Sequence, residues 1–326
     1  MKSKTILKVT GNLLFLCLVG LVIYGIFNTR KVMDYVILHN YNPPQRVVET
    51  ANNAEMTNKT RRVFYVNKPS FQEKADFKNS CPRAEQTIVL GCFVSNKGIF
   101  ILNVHDQRLS GVTEVTAAHE VLHAMYDRLS SSEKAKVDAM TAKAFSQLDN
   151  QRVRDNVEAY RKSDPSVVPN ELHSILGSEI RNLPPDLEDY YKQYFTNRAK
   201  IVDISEKYEK TFTDIESQTK TLEADLTSLK KELDDNEASL NSLSGKIEQQ
   251  KSRLDTLLKS NQVEQYNNGV PEFNAMISQY NSLVEVRKSD VALYNSKVEQ
   301  INSLVTAESN LYNELKVDAT PIKESQ

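Results

Sequence analysis

The chain has 326 residues with 41 Lys+Arg against 43 Asp+Glu, a formal charge of −2, a balance that gives no reason to propose the basic surface a nucleic-acid tracker needs. Nine glycines, no tryptophan and three cysteines exclude a glycine-rich nucleotide fold, a collagen-like fibre and a disulfide-dense miniprotein. They point instead to a mainly α chain with few tight turns.

From Val9 to Phe27 the chain runs 19 residues without a charge, roughly 28 Å as a helix and about the thickness of a hydrocarbon core. A secretory signal peptide is the competing reading, but its shorter apolar core ends at a small-residue cleavage site. Tyr24-Gly25-Ile26-Phe27-Asn28 offers no such site. Residues 1–30 are therefore read as a transmembrane signal-anchor and the chain as a single-pass protein of the cell membrane. Lys2, Lys4 and Lys8 before the span and Arg30 and Lys31 after it favour a cytoplasmic N-terminus by a narrow margin, which puts the rest outside the cytoplasm. Residues 31–61, with Pro43-Pro44 and a polar run, read as a membrane-proximal helix and spacer. Cys81 and Cys92 lie eleven apart around a predicted strand. A disulfide in an oxidising space and two reduced buried thiols both fit that spacing.

Strands are predicted at 63–66, 87–94 and 99–104. Ser95-Asn96-Lys97-Gly98 links the last two as a hairpin, with Gly98 free to take positive φ. Beyond Val112 the pattern is helical. Val115, Ala118, Leu122, Met125 and Leu129 make one apolar stripe. Ser130-x-x-Glu133 is a capping box for a helix over 131–148. Asn170 reads as the N-cap of a helix reaching Leu183, where Pro184-Pro185 stop it.

From 197 the composition turns to Lys, Glu, Ser, Asn and Leu in heptads. One seam runs from Leu222 to Leu257, with only Asn236 and Gln250 polar. A second runs from Ile277 to Leu315, interrupted by Arg287 and Glu308. Residues 197–318 are read as an antiparallel coiled-coil hairpin broken at 267–271, with 319–326 a tail; a homo-oligomeric coil is the alternative.

His119-Glu120-Val121-Leu122-His123 carries the chemistry. The two histidines are one turn apart, off the apolar stripe, and can share one Zn²⁺ at about 2.0–2.1 Å. Glu120 lies about 100° around the helix, where it can reach a water without being a ligand.

Over residues 62–196 this pattern resembles the zincin (HExxH) metallopeptidases, in which a short sheet lies over the HExxH helix and its edge strand aligns an extended peptide. Metzincins place a glycine and a third histidine where this chain has Tyr126 and Leu129. Gluzincins take the third ligand from a glutamate on a later helix, and Asn170–Glu179 is similar to that helix. The resemblance implies a small α+β zincin-like domain in an otherwise mainly α chain, and Zn²⁺ held by His119, His123 and Glu171. Glu179 is the rival ligand, near the same face. Ser174, Gly177 and Ser178 keep that face small. This helix lacks the supporting aspartate seen in many gluzincins, so the match is partial and no substrate is inherited.

The reaction so implied is peptide hydrolysis by a zinc-activated water with Glu120 as general base. An oxyanion donor among Tyr126, Tyr160, Tyr190 and Tyr191 is not ranked. Asp127 either orients His123 or is an exposed carboxylate. His173 is read as a surface or packing residue, as are His39 and His105. The expected partners are a protein or peptide substrate, the membrane through the N-terminal helix, and a protein bound by the coiled coil. The alternative function is an inactive zincin-like envelope protein that works through its coiled coil. A purely structural metal site is disfavoured by Glu120, which such a site would not need.

Overall fold

The computed structural model describes residues 25–81 and 89–317, together with Gly20. Apart from Gly20 and Gly25–Phe27, the predicted span at 9–27 lies outside them. Among the described residues no helix is long and apolar enough to cross a membrane.

The chain is mainly helical, with one small sheet and two long C-terminal helices. It opens with α1 (Thr29–Asn40), α2 (Gln45–Asn53) and α3 (Asn58–Val66). The last takes in the predicted strand at 63–66. The four-residue apolar run suits a strand, but Thr57 caps a helix start by accepting from Thr60 N at 3.3 Å, and Thr60, Val63 and Phe64 are buried at helical spacing. Val47, Ala51, Ala54 and Met56 also enter the core. The polypeptide from 45 to 61 is thus packed structure rather than spacer. Met56 and Thr57 are stitched to Tyr194 and Phe195 by backbone bonds.

The sheet is built from β1 (Ser70–Gln72), β2 (Gly91–Val94) and β3 (Gly98–Leu102) in the order β1-β3-β2. β2 and β3 form the predicted hairpin, its turn made by Asn96 (φ 62°) and Gly98 (φ 140°). β1, which the sequence reading missed, pairs parallel to β3 and leaves β2 at an edge. Between β1 and β2 lies α4 (Lys74–Ser80), whose C-cap Cys81 is disulfide-bonded to Cys92.

Next comes α5 (Val112–Asp127), the HExxH helix, then α6 (Ser131–Ser146), with both bonds of the Ser130–Glu133 capping box formed. α7 (Gln151–Ser163), α8 (Val168–Ser178) and α9 (Pro185–Tyr191) complete the first compact unit, with the start of α10 (Arg198–Lys259). α8 begins two residues before the expected cap. Pro169 fits its first turn because a missing N–H costs nothing there, so Asn170 lies inside the helix. It stops at Ser178, earlier than predicted. Arg198 meets the end of the helix, donating to the carbonyls of Leu176, Ile180 and Arg181 at 3.3, 2.5 and 2.8 Å while paired with Glu188.

Lys210–Tyr312 forms the second compact unit, from the rest of α10 and most of α11 (Val263–Leu315). Its contacts pair rising numbers on one helix with falling numbers on the other. Asp225 meets Lys297 at 2.6 Å, Asn236 donates to the Leu283 carbonyl at 3.2 Å, Glu237 meets Arg287 at 2.9 Å, and the Phe212 and Tyr312 rings lie tilted at 5.2 Å. The break lies at 260–262, not 267–271. Asn261 N–H donates to Leu258 O and Gln262 N–H to Leu257 O, with Asn261 left-handed at φ 59°. This is a Schellman-type stop in which asparagine supplies the left-handed residue. Pro271 is simply carried inside α11. Near the bend Leu254 packs at Gly269, where a Cβ would sit 2.9 Å from its Cδ2.

Candidate metal centre

α5 is buried on nearly every side. Val115, Ala118, Val121, Leu122 and Met125 enter the core, while Glu120 and His123 are also buried at 5% and 9% exposure. The charged groups stay inside because they face a cleft of about 600 Å³ between α5, β2, α7 and α8. α8 closes on α5 through its small face. A Cβ on Gly177 would sit 2.5 Å from Leu122 Cδ1 and 2.6 Å from Tyr191 Cε1. Only glycine lets the two helices approach that closely.

That approach brings Glu171 across from both histidines. Its Oε2 is 3.7 Å from His119 Nε2 and its Oε1 is 3.7 Å from His123 Nε2. The ligand atoms of His119, Glu120 and His123 lie within 4.8 Å of one another. A tetrahedral centre with bonds of 2.0–2.1 Å sets its ligand atoms about 3.4 Å apart. Each Nε2 stands a few tenths of an ångström farther from its facing Glu171 oxygen than such a centre requires, so two imidazoles and one carboxylate offer a donor set of the kind zinc takes.

Glu179 occupies a different place. Its Oε1 lies 3.5 Å from the other ring nitrogen of His119, Nδ1, and its Oε2 is held by Arg152 at 2.9 Å. Ser178 Oγ also lies 3.5 Å from that Nδ1. A carboxylate behind a metal-binding imidazole fixes its tautomer and direction, and Glu179 stands where such a group belongs. Arg152 is shared with Glu209, at 2.5 Å.

The titration behaviour follows from this crowding. Burial disfavours a charged His119, but Glu171, Glu179 and Glu120 outweigh it and raise its pKa well above the ordinary value. His123 moves down, through burial and the neighbouring His119, against the pull of Glu171. Burial pushes the carboxyls of Glu171 and Glu179 up, yet the histidines, with Arg152 beside Glu179, bring both below the usual range.

Above Glu120 lies the edge strand β2, whose whole length lines the cleft. Tyr126 and Tyr160 also line it; Tyr190 and Tyr191 do not. The hydroxyl of Tyr126 donates to Asp138 at 2.9 Å, while that of Tyr191 donates to the His173 carbonyl at 2.7 Å. Asp127 pairs with Arg30. His173 is fully buried among Tyr126, Tyr190, Tyr191 and Tyr194, with Nε2 3.0 Å from the Tyr190 hydroxyl, and is a packing residue. His39 stacks on Tyr35 and His105 faces Glu73.

Sequence reasoning missed Arg152, Asn156 and Tyr208, which line the cleft from α7 and α10. No local motif marks them, since only packing brings those helices to α5. No family model, no curated protein and no solved structure matches the chain.

Proposed function

We propose that the protein is a membrane-anchored, zinc-dependent peptidase of gluzincin-like type. One observation carries the reading. The Nε2 atoms of His119 and His123 each face an oxygen of Glu171 at 3.7 Å, with the Glu120 carboxylate beside them under an edge strand. Zn²⁺ held by these three residues would supply Lewis acidity toward a carbonyl. The chain supplies the rest. The carboxylate of Glu120 takes a proton from the attacking water and passes it to the leaving amine. The outer edge of β2, unpaired among the described residues, pairs with an extended peptide, which suits a main-chain substrate better than a compact one. Glu179, backed by Arg152, keeps His119 turned toward its place. Anchoring rests on the uncharged run at 9–27 and puts the cleft outside the cytoplasm.

The test is metal analysis of the full chain together with an unbiased peptide-cleavage screen. One zinc per chain and hydrolysis that Glu120→Gln removes are expected. A zinc-free protein, or a zinc-loaded one that cleaves nothing, overturns the reading.

A second reading has its own support in Lys210–Tyr312. Its paired contacts fit an antiparallel coiled-coil hairpin, and Val286, Val291, Leu293 and Val305 leave α11 with exposed apolar side chains. In that reading the hairpin binds a protein partner and the cleft is inactive. A catalytically silent chain that still captures a partner through α11 would favour it.

A further inference from the structure

α1 is two-sided in an unusual way. Its inner arc carries Arg30 and Asp34, which pair with Asp127 and Arg128 at the C-terminal end of the HExxH helix, the second pair at 2.6 and 3.1 Å. Its outer arc carries Val32, Met33, Tyr35 and Val36, which are 41, 55, 66 and 49% exposed. Around a helix these four fall within about 160°, with no carboxylate among them. Four large apolar side chains presented together to water need a cover. Ile26 and Phe27, just upstream, are more exposed still.

What covers them is indicated by continuity. The apolar part of the uncharged run that begins at Val9 ends at Phe27, and at the next residue the helix is interrupted: Asn28 has φ −121° and ψ 31°, outside the helical region. The chain can therefore change direction where the run stops. Lys31 flanks the apolar arc, placed for a long side chain to reach lipid phosphates.

We propose that α1 lies in the surface of the lipid bilayer, with Val32, Met33, Tyr35 and Val36 in the headgroup–acyl boundary. The inference rests on the membrane-anchored reading and deepens it. Such helices bury their apolar face about 5–10 Å into the interface. Because α1 is clamped by two ion pairs to the end of α5, and Tyr126 and Asp127 line the cleft, one rim of the cleft stands about one helix diameter, 10–12 Å, from the headgroups. The substrates that fit are polypeptide segments held at the membrane surface.

The chain has no tryptophan, so Tyr35→Trp provides a single emitter at an exposed position. Full-length Tyr35→Trp is reconstituted in phosphatidylcholine–phosphatidylglycerol vesicles with and without brominated acyl chains, beside Leu293→Trp as reference. Emission from Tyr35→Trp should be blue-shifted and fall roughly twofold with brominated lipid, as insertion to that depth requires, while Leu293→Trp does not respond. If the protein floats with the vesicles but Tyr35→Trp is quenched by aqueous iodide and not by bromine, the surface helix is overturned and the anchor stands. A blue shift that follows protein concentration and ignores bromine overturns it in favour of a second copy. Failure to float removes the anchor reading itself, and the proposal with it.

Discussion

A Cβ placed on Gly91 would sit 2.7 Å from Glu120 Cγ and 2.9 Å from its Oε1. The edge strand thus rests directly on the proposed base, and the absence of a side chain at 91 sets where that carboxylate can stand. Gly91→Ala should leave zinc bound and lower turnover at least about tenfold, the scale of a misplaced proton acceptor. Zinc stoichiometry and kcat measured on the same sample check this; unchanged kcat shows that the carboxylate is positioned by something else.

Removing the base and removing a ligand should have separable effects. Glu120→Gln keeps the shape of the side chain, so metal is retained while turnover falls about 10²-fold or more. His119→Ala should abolish stoichiometric zinc. Full activity in the Glu120→Gln protein would dismiss the proposed mechanism.

The two glutamates should also separate. Glu171 faces the Nε2 atoms, so Glu171→Gln should cost zinc affinity severely. Glu179 stands behind His119, and Glu179→Gln should cost about 10- to 100-fold, as for other groups that orient a ligand. Zinc competition titrations rank the two, and a larger loss from Glu179→Gln would exchange their roles.

Acid should unfold the first unit through His173. Burial, with the neighbouring His123 and His119, lowers its pKa from 6.5 to about 3. Above pH 6.5 neither the folded nor the unfolded chain holds this proton, and the stability is intact. Between pH 6.5 and about 3 the unfolded chain binds a proton that the folded chain refuses. That removes up to about 5 kcal/mol in all. Urea midpoints across this window should fall for the wild type and less steeply for His173→Phe; parallel curves would place the acid sensitivity elsewhere.

In α11, Pro271 lacks the N–H that an interior helical residue donates. Pro271→Ala should stabilise the second unit by up to about 3 kcal/mol, whereas Asn261→Ala should destabilise it by putting a β-carbon on a left-handed residue. A melting temperature lowered by Pro271→Ala would return the bend to 267–271.

What could be read from sequence was whatever a local period records. His119 and His123 share a face because of a four-residue spacing, and Ser174, Gly177 and Ser178 mark the side on which α8 meets α5, so the helices of the site were legible. Val63-Phe64-Tyr65-Val66 was misread because four apolar residues carry no period, and the deciding cap, Thr57, lies outside the run. The bend was misread because proline and glycine outweighed a lone asparagine, although Asn261 closes the helix with its own backbone bonds. Arg152 and Tyr208 reach the cleft from helices whose sequences hold no sign of it.

The disulfide fastens β2, the strand over Glu120, to the end of α4, whereas the residues proposed to hold zinc stand on α5 and α8. Closing so short a loop is worth about 3 kcal/mol by chain entropy. The two halves of the centre therefore have separate points of failure. With the proposed zinc bound, reductant would slacken the roof while the grip of His119, His123 and Glu171 persists, and a chelator would empty that grip beneath an intact roof. Inactivation by one should be rescued by oxidant alone, and by the other by metal alone.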